Sequence, residues 1–205
     1  MSVVFDKEAL VISMSDVEPM SRTLATKIVE QPDLVAFVAK GAYLIGQTLS
    51  NYYNVPLLEI HAERAGGGLK KKLHFVFKIL PKPINVFLRK FEMRLGIHSK
   101  STRRNIKVSD PNGITAHRFN TILLVDDSID TGNTIAGVKE HLSTIFPEAK
   151  IIVAAFDVFD ASKLLVKTDY FLFENKIISG PWSADSKWNA EYDDCYKQLK
   201  NSGVF

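Results

Sequence analysis

Apolar and polar residues are distributed along this chain in two alternating rhythms. Leu34–Ala39, the Ile122–Val125 part of Thr121–Val125, and Ala149–Phe156 are apolar at consecutive positions. Such runs mark strands buried on both faces, as in a parallel sheet. Pro56–His61 and Tyr170–Phe173 add shorter strands. Between them, Ser15–Glu30, Tyr43–Tyr53 and Asn133–Ile145 carry helical spacing, with Ser15 or Asp16 as the expected cap of the first. Strands alternating with helices predict an α/β fold with a mostly parallel central sheet flanked by helices. No internal repeat is visible.

Chemistry concentrates where the strand Thr121–Val125 runs into Asp126-Asp127, a polar turn Asp130–Thr134, and a helix. Ligands of open α/β sheets bind beyond the carboxyl ends of strands. Free N–H groups at a helix N-terminus attract phosphate. Gly132 lets the backbone approach an anion, and Thr131 and Thr134 add hydroxyl donors. Asp126 and Asp127 would repel a bare phosphate; they suit ribose hydroxyls or a Mg2+ that bridges to phosphates. The competing reading is a strand end with two solvated acids and a helix cap. The whole string favours a sugar-phosphate site.

This string resembles the PRPP (phosphoribosyl pyrophosphate) motif of the type I phosphoribosyltransferases. Residues 33–54, an apolar strand followed by Ala39-Lys40-Gly41-Ala42 and a helical stretch, resemble the first strand, pyrophosphate loop and helix of the 6-oxopurine (hypoxanthine-guanine and xanthine) branch. The likeness covers about 33–62 and 99–180. It implies the type I fold and Mg2+-dependent transfer of a phosphoribosyl group from PRPP to a nucleobase, with release of pyrophosphate. By motif position, Asp126 and Asp127 hold the ribose hydroxyls and the metal's water shell, and Thr131, Gly132, Asn133 and Thr134 cradle the 5′-phosphate. Lys40 and Gly41 face the pyrophosphate, and the peptide joining them is expected to be cis.

The resemblance makes Asp130 the proton acceptor near the base and tilts the substrate toward a 6-oxopurine. A helix N-cap explains an Asp here equally well. The base pocket departs from the family. Asp157 stands near the position of a lysine that meets the purine O6, and Lys163 and Lys167 lie downstream as replacements or as surface residues. Trp182 is the candidate stacking residue and Asp185 a candidate third metal group. Core packing and solvation are their alternatives.

Charge adds a second feature. The net charge of +3 hides an insert at 64–104 with twelve Lys or Arg and one acid, a formal +11 that leaves −8 for the rest. Gly66-Gly67-Gly68 opens it, and Ile84, Phe87, Leu88, Phe91 and Leu95 recur at helical spacing. Its latter part, Ser99–Val108, resembles the family's mobile loop. Packing as a helical element on the domain or on a second subunit is the first expectation, and peripheral contact with an anionic membrane the second. A basic patch alone is weak evidence for nucleic acid.

The 205 residues, 46% hydrophobic, suit one domain over 1–205 carrying this insert. The lone Cys195 excludes an internal disulfide, and the N-terminal segment lacks a secretory pattern, so the cytoplasm is the expected compartment. Five scattered His give no metal spacing. A homo-oligomer is expected from the family. The alternative function is a PRPP- or nucleotide-binding regulatory protein that engages a partner, membrane or nucleic acid through the insert.

Overall fold

The computed structural model describes residues 10–64 and 104–201. The chain divides into residues 1–62 with 106–205, and residues 63–105. The helix expected around 84–95 and most of the insert lie outside the described residues.

The described elements run β1 (Leu10–Val11), α1 (Met14–Lys27), β2 (Leu34–Val38), α2 (Tyr43–Tyr53), β3 (Leu57–Arg64), β4 (Arg104–Ser109), β5 (Thr121–Ile129), α3 (Asn133–Ile145), β6 (Lys150–Val158), β7 (Tyr170–Glu174), β8 (Ile178–Ser179) and α4 (Asn189–Asn201). The main sheet has the order β4-β3-β2-β5-β6-β7, and β1 pairs with β8 in a small second sheet. Every pair from β3 through β7 is parallel. The mostly parallel α/β sheet expected from the apolar runs is therefore present.

Strand periodicity divides the core into two layers. Val35, Phe37, Leu123, Val125, Ile152 and Phe156 meet α1, α2 and Tyr192 of α4 on one face. Leu34, Ala36, Leu124 and Val153 meet Ile135, Val138 and Leu142 of α3 on the other. Each fully buried Leu, Ile or Phe contributes about 1.5–3 kcal/mol. Asp33 ties the start of β2 to β5, accepting the N–H of Asn120 at 2.8 Å and of Thr121 at 2.9 Å.

The order of strands places the site. From β2 the chain crosses through α2 to β3 on one side, and from β5 it crosses through α3 to β6 on the other. Right-handed crossovers in opposite directions put the two helices on opposite faces, as the two core layers show. The connections after β2 and β5 therefore diverge, which opens a crevice beyond the carboxyl ends of these neighbours.

Several boundaries differ from the sequence reading. α1 starts at Met14 and is capped by Ser13, not Ser15 or Asp16; the Asp16 carboxylate accepts the Ser13 N–H at 2.9 Å from the third helical position. β5 continues through the acidic pair to Ile129, because Asp126 pairs with Ala155 and Ser128 with Asp157. A polar strand end buried beside β6 has lost the apolar signal but keeps the ladder. Residues 104–108, read as part of a mobile loop, lie in the edge strand β4. α4 was not anticipated.

Candidate functional site

Two turns meet at the crevice. After β2 the peptide between Ala39 and Lys40 is cis, one residue earlier than the expected Lys40–Gly41 bond. The Ala39 N–H still belongs to the sheet, donating to the Ile60 carbonyl at 2.7 Å, while the Tyr43 N–H turns back to the Lys40 carbonyl at 3.1 Å. The chain thus leaves the ladder immediately after Ala39. Gly41 then lies against the acidic pair: a Cβ there would stand 2.3 Å from Asp127 Oδ1. Any side chain there would displace the Asp127 carboxylate.

After β5, Gly132 caps α3 with φ +77, a left-handed conformation that glycine adopts freely. A Cβ on Gly132 would also stand 2.8 Å from Val166 Cγ1 and 3.1 Å from the Ser162 carbonyl. Thr131 and Asn133 flank it, joined by a 2.9 Å bond from Asn133 Nδ2 to Thr131 Oγ1. Thr134 is partly buried in the first turn of α3. Because Gly132 is the cap, Asp130 is not the N-cap residue; it stands exposed before the turn, with a long 3.5 Å contact from Ser128 Oγ.

Asp126 is buried and Asp127 partly so, and among the described residues neither forms an ion pair. Burial, and for Asp126 also the charge of Asp127, push the carboxyls of the pair above the usual range. Hydrogen bonding with Asp126, and to a smaller degree with the Trp182 side chain, partly offsets this at Asp127. Two desolvated acids with raised carboxyl pKa values and no cation of their own form a seat for cationic or hydroxyl-bearing groups.

The remaining candidates have separate surroundings. Asp157 is wholly buried at the end of β6, and its Oδ1 accepts the Lys176 N–H at 3.1 Å, holding the turn between β7 and β8. Lys163 is paired with Asp160 and Glu174, and Lys167 with Asp169 at 2.7 Å, so both are engaged with surface carboxylates. Trp182 packs on Phe156 and Tyr192 at ring separations of 6.3 and 6.0 Å, over Gly180. Asp185 is exposed, and no group of three or more His, Cys, Asp or Glu among the described residues is arranged to hold a metal.

Two residues of α4 that sequence reasoning did not reach also touch the crevice. The buried Tyr192 hydroxyl lies 2.6 Å from the Lys40 carbonyl and 2.9 Å from that of Gly41. Asp193 forms an ion pair with Lys40. The only signal was an amphipathic spacing, Tyr192, Tyr196 and Leu199, which shows a helix but not its docking place.

Comparison with known proteins gives the family and the fold. The family model described as phosphoribosyl transferase domain matches residues 15–187, so the chain belongs to that family and is a phosphoribosyltransferase. Among solved structures, a purine phosphoribosyltransferase from Pyrococcus horikoshii Ot3 is similar at 19% identity and TM-score 0.56, covering 86% of this chain and 95% of that one. A xanthine-guanine-hypoxanthine phosphoribosyltransferase from Helicobacter pylori gives 20% identity and TM-score 0.55, over 95% and 99% of the two chains. A hypothetical protein from Neisseria gonorrhoeae with bound ppGpp gives 15% and 0.53, over 93% and 98%. At these identities the likeness is one of fold. No curated protein shows a significant match. Among the described residues no helix is long and apolar enough to cross a membrane.

Proposed function

We propose that this phosphoribosyltransferase uses PRPP and Mg2+ to place a phosphoribosyl group on a ring nitrogen of a 6-oxopurine, releasing pyrophosphate. The observation that carries the reading is the contact of Gly41 with Asp127, which sets a Lys-Gly loop after β2 directly against a buried acidic pair after β5. A ribose whose hydroxyls meet Asp126 and Asp127 would present its leaving pyrophosphate to the loop, while its 5′-phosphate enters the 131–134 turn.

The pair fits Mg2+: two carboxylates without a cation suffice, because the ion keeps waters and takes substrate oxygens rather than an all-protein cage. When bound, it would supply charge neutralisation for pyrophosphate. The chain's residues do the rest. Asp126 and Asp127 orient the ribose and face the positive charge that develops on its ring. Asp130, exposed at the rim, accepts the proton released by the attacking nitrogen. Asp157, the base-pocket candidate, is buried at the end of β6 and holds the turn at Lys176. Trp182 supports Asp127 and Asp185 stands outside the pair.

The test is pyrophosphate release with PRPP and Mg2+ against hypoxanthine, guanine, xanthine, adenine, uracil and orotate. Turnover with an oxopurine, lost by about 100-fold in Asp130→Asn, is expected. Silence across the panel, with PRPP still bound in calorimetry, would instead indicate a PRPP- or nucleotide-binding regulator. An oligomer, a cytoplasmic setting and a partner-facing role for the insert belong to the same proposal; sedimentation of the full chain tests the first.

A further inference from the structure

The C-terminal helix brings two adjacent side chains to the Lys40–Gly41 loop from about 150 residues away in sequence. Tyr192 is wholly buried, its ring held edge-on to Tyr43 at 6.1 Å and Trp182 at 6.0 Å. Its hydroxyl has one proton to share between the Lys40 and Gly41 carbonyls, at 2.6 and 2.9 Å. Burial pushes the phenol far above its ordinary value, so it remains a donor. The neighbouring Asp193 pairs with Lys40 where both remain partly exposed, with 29% and 43% of their side chains accessible. An exposed pair of this kind is weak and salt-sensitive, and a more highly charged anion displaces it.

We propose that α4 is part of the pyrophosphate site: Tyr192 is a positioning residue that fixes the loop carbonyls, and Asp193 holds Lys40 until pyrophosphate takes its place. This rests on the reading of Lys40–Gly41 as the pyrophosphate loop. With the Lys40 and Gly41 carbonyls held by α4, the loop keeps one backbone conformation. Asp193 stores the Lys40 charge beside the site and lowers the net attraction for anions, so the helix sets how tightly PRPP and pyrophosphate bind. Neither residue is among those given a direct role at the base, so the effect is expected on the pyrophosphate side of the reaction.

The experiment compares full-length wild type, Tyr192→Phe, Asp193→Asn, Lys40→Met and the Asp193→Asn/Lys40→Met double variant. Pyrophosphate with Mg2+ is titrated by calorimetry, and KM values for PRPP and base are measured. Tyr192→Phe keeps the ring and loses the hydroxyl; pyrophosphate affinity falls and PRPP KM rises by about tenfold, with base KM unchanged. Asp193→Asn tightens pyrophosphate by about threefold at low salt, and the gain vanishes when Lys40 is also replaced. Unchanged pyrophosphate affinity in both Tyr192→Phe and Asp193→Asn overturns the inference while leaving the enzyme reading intact. So does a Tyr192→Phe protein altered only in melting temperature. A wild-type chain that binds no pyrophosphate overturns both.

Discussion

Asp126 shows how one side chain is placed against its own stability. It is 8% exposed, and burial and the charge of Asp127 raise its carboxyl well above the usual range. A carboxyl whose pKa is higher folded than unfolded contributes stability below its ordinary pKa and loses it as pH rises through the folded value. At neutral pH without metal or PRPP, the pair therefore costs stability. Asp126→Asn is expected to raise the melting temperature of the metal-free protein at pH 7, by about 2–4 °C per kcal/mol relieved, and to abolish PRPP binding. Differential scanning calorimetry checks it; a variant that melts below wild type would show that the acid stabilises the fold. The identity of this pair was legible because it follows a short apolar run in sequence. The near-contact with Gly41 was not, since 86 residues separate Gly41 and Asp127 and only the sheet makes β2 and β5 neighbours.

At the scale of elements, α4 is held on β3 by a buried charge. Glu59 is fully buried on β3, and burial alone would raise its carboxyl; hydrogen bonds with His61, Tyr196 and Lys200 outweigh that and bring it from 4.5 to about 2. Lys200 Nζ stands 3.0 Å from Glu59 Oε2, and His61 Nε2 3.2 Å from the same oxygen. With the folded value depressed, this contribution, on the order of 3 kcal/mol, is present above the ordinary carboxylate range and is lost as pH falls from about 4.5 toward about 2. Thermal melting of Glu59→Gln against wild type should show a wide gap at pH 7 that closes across that acid window. A gap independent of pH would mean that packing, not charge, holds the helix. α2, α3 and the apolar cores of β2, β3, β5, β6 and β7 were read from sequence, because burial on both faces and 3.6-residue spacing are local properties; the polar ends of β3 and β5, and the edge strand β4, were not. α4 was missed: its mixed polar sequence acquires a buried face only where Tyr43, Trp182 and Glu59 already stand.

At the scale of the whole molecule the candidate site draws on three distant parts of the chain: the turn after β2, the turn after β5, and the segment from Trp182 through Asp193. The last part also packs on Tyr43 of α2 and on the sheet face that carries Phe37 and Phe156. A chain ending before Asn189 would expose that face and leave the carbonyls of Lys40 and Gly41 without their partner. We expect it to lose cooperative unfolding in circular dichroism melts; a truncated protein melting within about 3 °C of wild type, roughly 1 kcal/mol, would contradict the role given to α4.

The amino-acid sequence by itself determined the α/β rhythm, the Asp126-Asp127 strand end and the Gly132 turn, because each is written in fewer than fifteen consecutive residues. Tertiary structure alone decided that Gly41 meets Asp127, that Asp157 turns to Lys176 and that α4 closes on Lys40. Those contacts join residues whose spacing carries no periodic signal. Strand order and helix docking create them, and both follow from burying the two faces of one sheet at once.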